Sequence, residues 1–348
     1  MSQVIVGIEG PLKNLSDISE VLLFESAFFD ASSQSSPACS VARISLENRW
    51  DALLNPTKYI DNLVGSQDMF EYELKSFGGP KTLVCLHGNK ILLDGSKESV
   101  ESFKDTCNRY SSKFDFMLSI SLPRDLQGDF ETLVEYLVSH VHYGSSKGLF
   151  FGCIGPFVLE STQVANIYLE AQKRTGAPLF IQISSGDSSV LSILESVDLS
   201  KIFLVPKNFE TACRLVDRFG NTKRLNLVIT CSEGGLDPRY SSLGDCQIFV
   251  SPGCSQKVHF KKFGGLGFDM LRQTSADSAE AALSVLSFAW NPPKLNAQQD
   301  DDYGKWVCDI CGLRAKLSEK ENFTKHGYTY CSVACLASHR KRGFEPLT

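Results

Sequence analysis

The spacing of apolar positions changes along the chain, and the changes mark out elements. Short, mostly apolar runs at 4–8, 22–29, 82–86, 114–119, 149–154, 179–183, 202–205, 225–230 and 247–251 read as buried strands. Stretches in which apolar residues recur every three or four positions, at 131–140, 161–175, 188–197 and 209–219, read as helices with one buried face. Gly, Pro and Ser gather where the runs end, as in Gly155-Pro156 and Ser184-Ser185-Gly186. Strands alternating with helices predict parallel βαβ units. Roughly eight such units in about 290 residues predict a closed (β/α)8 TIM barrel over 1–291 rather than an open sheet. No repeat of solenoid length is visible.

The periodicity stops at Asn291-Pro292-Pro293, and a polar stretch ending Asp300-Asp301-Asp302 follows. Residues 292–304 therefore read as a linker. Charge changes sign there. Residues 305–348 carry eight Lys/Arg against four Asp/Glu, which leaves 27 basic against 36 acidic side chains in residues 1–304. A small second domain is expected over 305–343, with 344–348 as a tail. At 43% hydrophobic and 22% charged the whole chain has the composition of a globular protein. Neither an 18-residue apolar run nor a signal-peptide pattern occurs, so no membrane association and a cytoplasmic or nuclear location are expected. In those compartments the twelve cysteines are expected as thiols or metal ligands rather than disulfides. A net charge of −5 gives the bulk of the chain no reason to bind nucleic acid.

The second domain carries metal-ligand spacing. Cys308-Asp309-Ile310-Cys311-Gly312 is a knuckle, and Cys331-Ser332-Val333-Ala334-Cys335 places two more thiols four residues apart. Such a knuckle turns two sulfurs toward one point, and cysteines on a first helical turn share a face. Cys308, Cys311, Cys331 and Cys335 can thus enclose one structural Zn²⁺, which a domain this small needs in order to fold. His339 is a weaker candidate ligand, within the basic run Ser338-His339-Arg340-Lys341-Arg342. The knuckle and Gly327-Tyr328-Thr329-Tyr330-Cys331-Ser332 resemble the treble-clef zinc fingers of the TRASH/YHS and HIT types. That resemblance implies docking of protein partners, with RNA as the alternative contact of the basic tail.

Gly10-Pro11, Leu22-Leu23-Phe24-Glu25-Ser26, Leu149-Phe150-Phe151-Gly152-Cys153-Ile154-Gly155, Asp198-Leu199-Ser200 and Phe263-Gly264-Gly265-Leu266-Gly267 make residues 4–291 resemble the phosphotriesterase-related family of metal-dependent amidohydrolases. That family opens with a Gly-Pro turn and a strand bearing His-x-His; here Gly10-Pro11 is followed by Leu22-Leu23-Phe24-Glu25-Ser26. Its bridging carboxylate falls on Cys153 of Leu149-Phe150-Phe151-Gly152-Cys153-Ile154-Gly155. Two further metal histidines fall on Gln182 and Pro206, the latter in Asp198-Leu199-Ser200-Lys201-Ile202-Phe203-Leu204-Val205-Pro206. The catalytic aspartate falls on Gly253, before Phe263-Gly264-Gly265-Leu266-Gly267. The resemblance therefore implies an amidohydrolase-like barrel that has lost the ligands at Phe24, Ser26, Cys153, Gln182, Pro206 and Gly253. Phe, Pro and Gly offer no donor atom to two cations that must together activate a water. No cofactor is expected in the barrel, and Phe24 is expected to fill the space the family leaves for metal.

Other polar groups have ordinary readings. His87 ends a strand at the barrel rim, and Cys153 beside it would form a Cys/His pair if the fold joined them. His140-x-His142 ends a helix, where residues two apart do not share a face, and reads as surface. Asp237-Pro238-Arg239 and Ser184-Ser185-Gly186-Asp187 read as turns. The expected function is that of a catalytically inactive barrel serving as scaffold or adaptor, joined to a partner-docking finger. The alternative is a metal-dependent hydrolase of N-acyl amino acids or esters, or a TatD-like nuclease, with a rebuilt active site.

Overall fold

The computed structural model describes residues 3–26, 35–87, 97–123, 126, 128–145, 147–184, 191–222, 224–230, 237–244, 246–269, 277–290, 323–325, 328–330, 336–337 and 339–340. Eight strands form one sheet in sequence order: β1 (Glu20–Glu25), β2 (Thr82–Leu86), β3 (Phe114–Ile120), β4 (Cys153–Val158), β5 (Leu179–Ile183), β6 (Ile202–Pro206), β7 (Leu225–Thr230) and β8 (Cys246–Ser251). Every neighbouring pair is parallel. The helices are α1 (Arg49–Leu54), α2 (Gln67–Ser76), α3 (Lys97–Arg109), α4 (Phe130–Tyr143), α5 (Thr162–Thr175), α6 (Phe209–Phe219) and α7 (Asp277–Leu286). The arrangement is a (β/α)8 barrel.

Strand parity sorts the apolar residues into two shells. Leu23, Cys85, Met117, Cys153, Phe180 and Phe203 belong to the cluster inside the barrel. Alternate residues such as Leu22, Val84, Phe116, Ile181 and Leu204 pack outward in a second cluster shared with the helices. Local chemistry sets the helix starts. Asp129 Oδ1 accepts from Thr132 N at 2.8 Å at the head of α4, and Asn208 Oδ1 accepts from Thr211 N at 2.9 Å at the head of α6. Gly176 closes α5 in the left-handed region at φ 69°.

The structure departs from the sequence expectations at three runs. The apolar run 4–8 is no barrel strand: Val6–Gly7 pairs antiparallel with Gly10–Pro11, and Ile5 is buried in the inner cluster. Burial, not pairing, accounts for its apolar character. The fourth strand starts at Cys153, where the expected run 149–154 was to end, and continues through Gly155-Pro156. Its register with β5 shifts between Ile154 and Phe157. Gly155 has φ 95°, and a Cβ there would lie 2.4 Å from the Phe180 carbonyl oxygen, so this strand position requires glycine. Within 188–197 the described part holds the short 3-10 turn Ser192–Leu194.

At the C-terminal end, β9 (Phe323–Lys325) and β10 (Tyr328–Tyr330) form an antiparallel hairpin. Tyr330 and His339 are buried, with the tyrosine hydroxyl 2.8 Å from His339 Nδ1.

Candidate functional site in the barrel mouth

In (β/α)8 barrels the strands' C-terminal ends frame the active site. Continuing the inward parity by two residues from the inner cluster brings Glu25, His87, Ser119, Gln182, Val205 and Ser251 to this rim. Two features fill it.

The first is an aromatic stack. The Phe24 ring centroid lies 4.8 Å from that of His87, which lies 4.6 Å from that of Phe180. Phe180 in turn stacks on Phe203 at 4.6 Å. The buried His87 has its Nε2 2.8 Å from the Leu23 carbonyl oxygen. A carbonyl only accepts, so Nε2 carries the proton and Nδ1 presents a lone pair. Among the described residues that nitrogen meets no hydrogen-bond partner. Burial pushes the ring down to about 4, against the smaller opposing effect of the Leu23 carbonyl, so the imidazole is neutral at physiological pH.

The second is a clasp across the barrel seam. Among the described pairings, no ladder joins β1 to β8. Side chain and loop backbone join them instead. Phe24 N donates to Ser251 Oγ at 2.9 Å, and Ser26 N donates to the Cys254 carbonyl at 3.0 Å. The Glu25 carboxylate is fully buried: Oε1 accepts from Ser251 Oγ at 2.7 Å and Gly253 N at 3.1 Å, and Oε2 accepts from Cys254 N at 3.0 Å. Burial pushes its pKa up to about 7, while the hydrogen bonds from Ser251 and the two backbone amides oppose the rise. Glu25 stands between two positions matched to metal ligands, yet its oxygens hold the barrel shut.

The positions singled out from the sequence are spread over different layers. Phe24 lies in the stack, and Ser26 contributes its backbone to the seam. Cys153 sits deeper, in the inner cluster, with Sγ 3.6 Å from the Leu118 carbonyl; burial and the neighbouring Cys85 push its thiol pKa well up. It forms no hydrogen bond with His87, so the Cys/His pair is not assembled. Gln182 keeps inward parity, whereas Pro206 follows inward Val205 and takes outward parity. Gly253 has φ 65°, and a Cβ there would come within 2.7 Å of Thr230 Cβ. Of the six positions that the resemblance matches to metal ligands, Phe24, Pro206 and Gly253 carry no side-chain donor atom, and neighbouring Glu25 is committed to the seam. Among the described residues no three His, Cys, Asp or Glu side chains converge as a metal site.

His140 corrects a surface assignment. It is buried, its Nδ1 lies 2.7 Å from the Tyr136 carbonyl, and its ring packs 4.3 Å from Tyr136. The Arg239 guanidinium holds Asp237 below the usual carboxylate range in an exposed local turn. Cys308, Cys311, Cys331 and Cys335 lie outside the described residues, as does most of Ser184-Ser185-Gly186-Asp187. Within the described part, Tyr330 and Tyr328 hold the His339 ring, the latter edge-on at 4.5 Å.

Fold and site together define a (β/α)8 barrel with an aromatic-filled mouth, followed by a treble clef domain. Residues 305–347 match the Vms1-associating treble clef domain. The barrel shares its fold with the phosphotriesterase homology protein from Escherichia coli, complexed with phosphate in its active site. The TM-score is 0.51 at 14% identity, covering 75% of this chain and 91% of that one. It is similar to the same degree to the lactonase Lmo2620 from Listeria monocytogenes, with TM-score 0.51 and 14% identity over 83% of this chain and 97% of that one. Comparison with curated proteins gives no match.

Proposed function

We propose that this protein acts by holding partners rather than by turning over a substrate: a catalytically inactive amidohydrolase-like barrel carries a zinc-stabilised, protein-docking treble clef. The observation that carries the reading is the content of the mouth. Phe24, His87 and Phe180 occupy the volume in which a hydrolase of this architecture would expose ligands to substrate, and Glu25 is engaged in closing the seam. Burying apolar rings stabilises a rim that converging charges would otherwise weaken. The matched domain's own description, Vms1-associating, supports a protein rather than RNA as partner. One zinc on Cys308, Cys311, Cys331 and Cys335, with His339 at most an additional ligand, belongs to this proposal, as does a cytoplasmic or nuclear location.

A rebuilt hydrolase has one observation in its favour. Ser251 Oγ donates to a carboxylate poised near neutrality, the arrangement of a hydroxyl nucleophile beside its base. Both groups are buried, however, and the hydroxyl also accepts from Phe24 N. The two readings separate in a turnover assay of full-length protein with Zn²⁺ or Mn²⁺, on phosphotriesters, lactones, N-acyl amino acids and DNA. The scaffold reading expects no rate above a metal-only control. Metal-dependent turnover above that control, lost in Ser251→Ala protein that is still folded, would establish the hydrolase.

A further inference from the structure

Residues 41–63, between β1 and α2, display an apolar surface on a packed base. Trp50 is 69% exposed and Leu54 80%, four residues apart on α1, and Leu46 lies one turn before Trp50 at 71%. Gly264 lies against this face, where an added Cβ would meet both Leu46 and Arg49 at 3.1 Å, and Leu266 two residues on is 57% exposed. The Arg49 guanidinium lies 5.1 Å from the Trp50 ring. Tryptophan and arginine are the residues that most often dominate protein interfaces.

These side chains are not exposed because their segment is loose. Beneath them Ile44, Ala52, Tyr59 and Val258 form a separate buried cluster. Asp51 accepts from Asn55, Lys58 and Tyr59, and Asp61 accepts from Ile44 N and pairs with Lys257. A platform with its own core and hydrogen-bond frame holds large apolar groups in water, where a lone globular chain gains nothing from them.

The charges around the patch indicate what covers it. Asp51, Asp61 and Asp269 are each neutralised by a lysine: Lys58, Lys257 and Lys261. Arg43 and Lys262 are exposed and, among the described residues, make no ion pair. They outnumber exposed Glu47, so the patch is basic on a chain whose net charge is −5. We infer that the Leu46–Trp50–Leu54 face is a docking site for an acidic amphipathic segment of a partner protein, apolar side chains on Trp50 and carboxylates toward Arg43 and Lys262. This deepens the scaffold reading by giving the barrel a partner of stated chemistry, and rests on it.

The test measures fluorescence anisotropy of labelled helical peptides of about 16 residues with Leu and Trp at i, i+3, i+4 and i+7, against the full chain. One peptide is rich in Glu, one in Lys, and one has neither. The Glu peptide should bind at least tenfold tighter than the Lys peptide, more weakly as salt is raised. Trp50→Ala, or Arg43→Glu with Lys262→Glu, should weaken it at least tenfold while melting stays unchanged. Equal affinity for Glu and Lys peptides, no binding by either, or binding indifferent to Trp50→Ala overturns the proposal. So does a dimer in sedimentation that Trp50→Ala dissolves, because the face is then a contact between copies. Peptide binding together with metal-dependent turnover would leave the docking site standing and overturn the inactive-barrel reading instead.

Discussion

Replacing Glu25 with glutamine tests the seam in a way that depends on pH. The wild-type carboxyl is raised from 4.5 to about 7 in the folded protein. A group whose folded pKa is raised binds its proton more tightly when folded, so its stabilisation is full below about pH 4.5 and is lost as pH rises through about 7. At about 1.4 kcal/mol per unit, the loss totals on the order of 3 kcal/mol. Glutamine keeps the shape and removes the titration. It also turns one oxygen into a donor, facing either Cys254 N or Gly253 N, which costs about 1–3 kcal/mol for the orphaned amide. Glu25→Gln is therefore expected to destabilise at pH 5 by about that amount, and to equal or exceed wild type at pH 8.

The assay is urea unfolding of both proteins across this range, compared through the free energies at equal m-value. Only the difference between the proteins isolates Glu25. His87 and His259, both pushed down to about 4 by burial, contribute an opposite slope between about pH 4 and 6.5 that cancels in the comparison. A wild-type-minus-variant difference that stays constant within about 0.5 kcal/mol from pH 5 to 8 would refute the buried, neutralised clasp.

Other substitutions probe the mouth and the finger. Phe24→Ala removes the ring packed on His87 and should cost about 2–3 kcal/mol in urea unfolding, below the range for a fully buried Phe because Phe24 is half-buried. Gly253→Asp, which puts a carboxylate at the position matched to the family's aspartate, should lower the melting temperature and create no metal binding by calorimetry, given φ 65° and the 2.7 Å approach to Thr230. Cys331→Ser should abolish the dispersed NMR signals of residues 305–347 while barrel melting changes little, because metal binding and folding are one event in so small a domain. Retention of those signals after chelation would show the zinc assignment to be wrong.

The barrel was legible because its logic is periodic. Runs such as 82–86, 179–183 and 202–205 are strands by composition alone, and glycine and serine mark where they stop. Where burial and pairing diverge, periodicity misleads: Ile5 is apolar because it enters the inner cluster, not because its segment joins the barrel sheet. The Gly155-Pro156 pair reads as a turn, yet it lies within a strand whose bulge needs a glycine. His140 reads as surface in the sequence because a helix end by itself says nothing of what packs across it, here Tyr136 and Phe151. The seam was the least legible feature. Glu25 is a single charge at an inward position of an apolar strand, a detectable anomaly, but its partners Ser251, Gly253 and Cys254 are more than two hundred residues away.

The central claim is that this barrel holds no catalytic metal and the finger holds one zinc. Elemental analysis of full-length protein, purified without chelator and dialysed against Zn²⁺ and Mn²⁺, measures it directly, alongside the Cys308→Ser/Cys331→Ser double variant. The account predicts one zinc per wild-type chain and none in the variant. Two or more ions per chain, or metal that stays bound to the variant at stoichiometric level and leaves when His87 is replaced by alanine, would contradict it.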